Sequence, residues 1–142
     1  MKTCLLDVDV LLALAWPYHA HHNIVHQWWR SVGVTSWATT TQTQLGFVRV
    51  SCHSQFIPTP ANPPQALRLL LQMTSRSDHT FWGETPNGTR DAEVASRLSA
   101  CLTHSQITDA YLAATAHHHR GQLATLDRSL AERHPDVALL VS

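Results

Sequence analysis

The sequence predicts a single α/β domain with a mainly parallel central sheet, and three observations carry that expectation. Apolar runs of strand length alternate with longer segments of helical periodicity along the chain. A length of 142 residues suits one hydrophobic core. An apolar content of 44% supplies that core and is too high for a disordered chain.

Residues 3–8 read as the first strand, an apolar run broken by Asp7 near its end. In an open α/β sheet the carboxyl ends of the strands face the ligand crevice, so Asp7 falls beside it. Residues 10–15 form a short helix that Pro17 ends. Residues 21–32 form the second helix, where Ile24, Val25, Trp28, Trp29 and Val32 make a wide apolar face and Gly33 is the stop signal. Residues 34–38 are the second strand. Residues 39–52 form a helix with Leu45, Val48 and Cys52 on one face and Thr40, Gln44 and Ser51 on another. The four prolines of residues 57–64 require a loop.

Residues 65–73 return to helix, with Leu67, Leu70 and Leu71 inward. Residues 79–82 are a short strand and 83–88 a turn-rich loop. Residues 91–102 form a helix through Val94, Leu98 and either Leu102 or Cys101. Residues 105–119 form another, for which Thr103 and Gln106 have the spacing of a capping box, or Ser105 caps instead, and Gly121 ends it. Residues 122–126 and 137–141 are the last two strands.

Composition narrows the function. Formal net charge is zero, so no overall basic charge marks a nucleic-acid binder, although a local basic patch stays compatible with it. No run approaches the roughly 18 apolar residues of a membrane span. Lys2 and the apolar run after it imitate a secretion signal, but Asp7 and Asp9 inside that run argue against one. Cys4, Cys52 and Cys101 are odd in number and unpaired in spacing, as expected of free thiols in a reducing cytoplasm.

Three acids stand at chain reversals. Asp7 ends the first strand, Asp127 follows the strand Leu123-Ala124-Thr125-Leu126, and Asp109 opens the helix leading into that strand. Each has an ordinary explanation: Asp109 suits a helix dipole and Asp127 suits the N-cap of a short helix from Arg128. Together they imply more, because right-handed crossovers bring such ends to one sheet edge. Carboxylates about 4 Å apart repel by roughly 4 kcal/mol at an effective dielectric of 20. A divalent cation or a bound proton must offset that. Oxygen ligands in an open, hydrated site suit Mg²⁺ or Mn²⁺, ions that promote phosphodiester cleavage.

Four segments carry a family resemblance: Leu5-Leu6-Asp7-Val8-Asp9-Val10-Leu11, Thr43-Gln44-Leu45-Gly46-Phe47-Val48-Arg49-Val50, Ile107-Thr108-Asp109-Ala110-Tyr111-Leu112-Ala113 and Leu123-Ala124-Thr125-Leu126-Asp127-Arg128. In this order and spacing, over about residues 2–130, the chain resembles the PIN-domain ribonucleases, above all the VapC toxins of bacterial VapBC toxin–antitoxin pairs. The free cysteines make the cytoplasm the expected location, and the resemblance implies a three-layer α/β/α fold and a metal-dependent endoribonuclease. It implies cleavage of RNA by a Mg²⁺-activated water, leaving a 3′-hydroxyl and a 5′-phosphate. It also implies inhibition by a cognate VapB-type antitoxin and a homodimeric state.

Residue by residue, Asp7, Asp109 and Asp127 match the family's metal-binding acids. Asp9 stands where the family has a polar residue that orients the first acid. Gln44 stands where many members have Glu, a departure that bears on metal affinity and that the extra charge of Asp9 is expected to offset in part. Thr108 and Thr125 are expected to hydrogen-bond the acids beside them, although Thr125 also suits a plain strand position. Arg49, Arg120 and Arg128 are candidate RNA-phosphate contacts, each also an ordinary solvent-facing charge. Trp28 and Trp29 are core residues, part of whose face suits an antitoxin helix.

Other features have plainer readings. His19, His22 and His26 share one helix side, where His22 and His26 have chelating spacing, but an exposed polar face explains them better. His117, His118 and His119 suit a helix C-terminus. Two other functions compete. Asp7-Val8-Asp9 also fits a haloacid-dehalogenase-type phosphatase, with Asp7 as nucleophile and Asp9 as acid/base. That chemistry needs a later lysine and an acidic pair, whereas Lys2 is the only lysine. The third is a PIN-like module that binds RNA or an antitoxin without cutting, consistent with Gln44 and the neutral charge.

Overall fold

The computed structural model describes residues 2–53 and 59–142. Among these residues five strands form one parallel sheet: β1 (Cys4–Leu6), β2 (Trp37–Thr39), β3 (His79–Phe81), β4 (Gln122–Thr125) and β5 (Ala138–Leu140), in the order β3-β2-β1-β4-β5. Seven α-helices connect them: α1 (Val8–Ala15), α2 (His22–Val32), α3 (Thr41–Ser51), α4 (Pro63–Thr74), α5 (Ala92–Ser99), α6 (Ile107–His118) and α7 (Arg128–Arg133).

The central strand β1 is fully buried, and its alternating side chains feed two cores. Cys4 and Leu6 pack with Leu11 of α1, Trp28 of α2, Phe47 of α3 and Leu70 of α4. Leu5 faces the other way, against Leu112 and Ala113 of α6 and Leu130 of α7. The molecule is thus a three-layer α/β/α sandwich, as the resemblance implied. Burying a side chain the size of Phe47 or Leu5 contributes about 1.5–3 kcal/mol each.

Polar side chains set most helix starts. Thr40 and Thr43 form a reciprocal capping box on α3, and Asn62 and Gln65 form one on α4. Asp7, Asp91 and Asp127 cap α1, α5 and α7. Gly33 ends α2 in the left-handed region at φ 62°.

Several expectations need correction. Helix α4 starts at Pro63 rather than residue 65, because proline is tolerated where helical N–H groups are unpartnered anyway. Its buried side is Ala66 and Leu70, while Leu67 and Leu71 are 48% and 59% exposed. Helix α3 turns Gly46 and Phe47 inward and leaves Leu45 exposed. Strand β2 begins at Trp37, not residue 34. Helix α5 stops at Ser99, so Leu102 lies outside it and is 88% exposed. The box expected of Thr103 and Gln106 does not form: Gln106 Oε1 accepts from the Leu102 N–H at 2.9 Å, and a single 3₁₀ turn leads into α6. Residues 57 and 58, the start of the proline-rich loop, fall outside the described residues.

Gly121 follows α6 for a steric reason. A Cβ there would lie 2.4 Å from the Trp82 ring and 2.6 Å from the Thr3 carbonyl oxygen. Arg120, not Gly121, takes the left-handed turn, at φ 56°. His22 and His26 are half-buried rather than on an exposed face. Their rings donate to the Ala13 and Leu14 carbonyls and so cap the end of α1. The three cysteines are free, with Cys4 buried. Among the described residues no helix is long and apolar enough to cross a membrane.

Candidate active site

Strands β1 and β4 are parallel neighbours, with Leu6 paired to Ala124, so their carboxyl ends emerge side by side. Asp7 is the first residue after β1 and Asp127 the second after β4. Helices α1, α6 and α7 all start at this edge, which brings Asp9 and Asp109 there in the first turns of α1 and α6. Three helix N-termini facing one spot favour negative charge. Asp7, Asp9, Asp109 and Asp127 line one cavity of about 260 Å³, together with Val8, Gln42, Gly46, Arg49, Val50, Thr108 and Leu112.

Hydrogen bonds fix the two strand-end acids. The Val8 N–H donates to Asp7 Oδ1 at 2.8 Å and the Thr125 hydroxyl donates to Asp7 Oδ2 at 2.8 Å. The same hydroxyl accepts from the Asp127 N–H at 3.0 Å, and the Leu130 N–H donates to Asp127 Oδ1 at 3.2 Å. Asp109 meets a cation: Arg133 Nη2 lies 3.5 Å from its Oδ2.

The electrostatics are those of crowded carboxylates. Burial raises the Asp7 pKa to about 6, and the nearby charges of Asp109 and Asp9 push the same way against the Thr125 and Val8 hydrogen bonds. Asp109 is also raised, first by burial and then by Asp127, with the Arg133 guanidinium opposing. Four carboxylates supply only oxygen donors, in a pocket where two of them resist ionising. That donor set fits a hard dication, whose charge would hold the acids ionised.

The other predicted residues divide. Thr108 and Arg49 line the cavity, and Thr125 bridges two acids. Gln44 does not line it. Its Nε2 donates instead to Thr39 Oγ1 at 3.0 Å, and Gln42 is the glutamine that faces the acids. Arg128 is exposed at the start of α7 and does not line the cavity. Arg120 belongs to the opposite sheet edge, where it lines a separate cavity with Lys2, His117, His118 and Asp136. Lys2 is thus at the far end of β1 from Asp7, which leaves Asp7 without the lysine a dehalogenase-type phosphatase requires. Sequence reasoning missed Gln42 and Arg133; the only sequence mark of Arg133 is its spacing four residues after Ser129, whose hydroxyl it contacts.

The four acids share a cavity without three of them meeting within 4.8 Å; among the described residues, the group whose ligand atoms all lie that close to one another is a different one, Glu93, His117 and Asp136. Arg97 already pairs with both carboxylates there, at 2.7 Å to Glu93 and 2.5 Å to Asp136.

Known proteins resemble this chain over most of its length. The PIN domain family model matches residues 4–134. Ribonuclease VapC39 of Mycobacterium tuberculosis (strain ATCC 25618 / H37Rv) is 37% identical over 134 residues, covering 92% of each chain. Ribonuclease VapC29 of the same strain is 40% identical over 139 residues, covering 98% of this chain and 96% of the relative. Among solved structures, PAE2754 from Pyrobaculum aerophilum superposes with a TM-score of 0.62 at 20% identity, over 96% of this chain and 83% of that one. FitAcB from Neisseria gonorrhoeae gives 0.56 at 18% identity, over 97% and 96%. With its cavity of four acids at the shared end of β1 and β4, the chain belongs to the PIN-domain family.

Proposed function

We propose that this chain is a divalent-metal-dependent endoribonuclease and the toxin of a toxin–antitoxin pair. The observation that carries the proposal is the single cavity shared by Asp7, Asp9, Asp109 and Asp127. The ribonucleases VapC39 and VapC29, alike over nearly the whole chain, support RNA as the substrate. In this reading Asp7, Asp109 and Asp127 hold Mg²⁺ or Mn²⁺. A dication bound there neutralises charge developing at a phosphodiester and lowers the pKa of water.

The chain's own residues do the rest. Thr125 and the Val8 N–H orient Asp7 with one oxygen each. Asp9 adds charge at the cavity mouth, and Thr108 supplies a hydroxyl beside Asp109. Arg49, on the cavity wall, and Arg128, exposed beside Asp127, contact RNA phosphates. Gln44 is left as a support for β2 through Thr39. The proposed partners are an RNA substrate, a VapB-type antitoxin and a second copy of the chain, and the proposed location is the cytoplasm.

The test is RNA cleavage by the purified chain. Cleavage is expected with Mg²⁺, is expected to stop with EDTA, and is expected to vanish in D7N. Cleavage that survives EDTA, or a folded wild type that binds RNA without cutting it, defeats the proposal.

A further inference from the structure

We infer that Arg133 is a built-in counter-ion of Asp109, holding that carboxylate in the metal-free protein and giving it up to a divalent cation, so that this arginine lowers the metal affinity of the site. The inference rests on the metal-dependent reading above.

Arg133 closes the last turn of α7 and reaches back toward the start of α6. Its Nη1 donates to the Ser129 hydroxyl at 2.6 Å, which fixes one side of the guanidinium. Its Nη2 meets Asp109 Oδ2 at 3.5 Å, the outer limit of a hydrogen bond. Its Nε is buried and, among the described residues, has no acceptor. The side chains of both Arg133 and Asp109 are 25% exposed, so water screens the pair only in part.

An arginine fork docked on a carboxylate uses two N–H groups and both oxygens. Here one oxygen is engaged, loosely, and the second donor of the fork is idle. The pair is close enough to neutralise and too loose to lock. Asp127 and Asp9 add negative charge from the neighbouring helix starts, and Arg133 is the cation that opposes them at Asp109. A guanidinium cannot shed its proton, so it stays a competitor for that carboxylate at every working pH. Competition is reciprocal: a dication that weakens the Arg133 contact is itself weakened by it to the same degree.

The experiment is calorimetric titration of the full chain with Mn²⁺, comparing wild type, R133Q and D109N, with melting curves at low and saturating Mn²⁺. R133Q is expected to bind Mn²⁺ about tenfold more tightly than wild type. It is expected to melt lower than wild type without metal, and saturating Mn²⁺ is expected to close that gap. In wild type alone, the Arg133 Nε–H signal in ¹⁵N NMR is expected to shift when Mg²⁺ is added, which needs no variant to fold. Unchanged or weaker Mn²⁺ binding by folded R133Q, or a Nε–H signal indifferent to Mg²⁺, overturns the inference while the metal reading stands. If wild type takes up no Mn²⁺, or D109N binds it equally well, the metal reading fails and the inference falls with it.

Discussion

Thr125 and Asp7, 118 residues apart in sequence, are joined by a hydroxyl-to-carboxylate hydrogen bond of 2.8 Å. The same oxygen accepts from the Asp127 backbone at 3.0 Å, so one hydroxyl ties the end of β1 to the turn after β4. The bond fixes the direction of Asp7 Oδ2 and stabilises its ionised form.

Thr125→Val keeps the shape of this buried residue and removes the bond. By the behaviour of residues that orient metal ligands, it is expected to lower Mn²⁺ affinity and RNA cleavage roughly 10- to 100-fold. Thr125→Ser is expected to retain most of both. Calorimetry and a cleavage assay on the two variants check this.

The raised Asp7 pKa sets a pH dependence for the metal-free protein. Between its ordinary value of 3.8 and about 6, native Asp7 keeps a proton that the unfolded chain has released. Folding stability in EDTA is therefore expected to fall as pH rises from about 4 to about 6, then level off, by at most about 3 kcal/mol. Asp109, shifted the same way, adds to the slope. Asp7→Asn is expected to flatten Asp7's part of the curve, with asparagine still able to cap α1. With saturating Mg²⁺ the slope is expected to reverse, because protons then compete with the ion. Urea unfolding across this pH range, with and without metal, measures both.

Asp9 lines the cavity and Gln44 does not. Asp9→Asn is therefore expected to weaken Mg²⁺ binding several-fold, on the order of 1 kcal/mol for one charge removed from a partly exposed site. Gln44→Ala is expected to leave metal affinity near wild type and to act on stability through the lost Thr39 contact. Titration of both variants tests the contrast; equal effects on Mg²⁺ affinity speak against it.

Asp7, Asp109 and Asp127 were legible as a group because each sits where an apolar run turns over, and parallel strands put such turns on one edge. Gln44 was not separable from Gln42 in the same way. Two residues apart on a helix point in nearly opposite directions, so the facing glutamine depends on the rotation of α3, which packing sets. The same applies to Leu67 and Leu71, whose periodicity marks a stripe on α4 without saying which stripe finds a partner. Gly121 announced the end of α6, but the reason for it, the Trp82 ring and the Thr3 carbonyl, is a tertiary fact. Arg133 reaches Asp109, 24 residues away in sequence, only through the tertiary fold, and no spacing along the chain encodes that approach.

Soaking crystals of the chain with Mn²⁺ and locating the ion by anomalous scattering tests the central claim most directly. The expected result is a peak within coordination distance of Asp7, Asp109 and Asp127, at the carboxyl ends of β1 and β4. No peak there, or one confined to Glu93, His117 and Asp136 at the opposite edge, would contradict it.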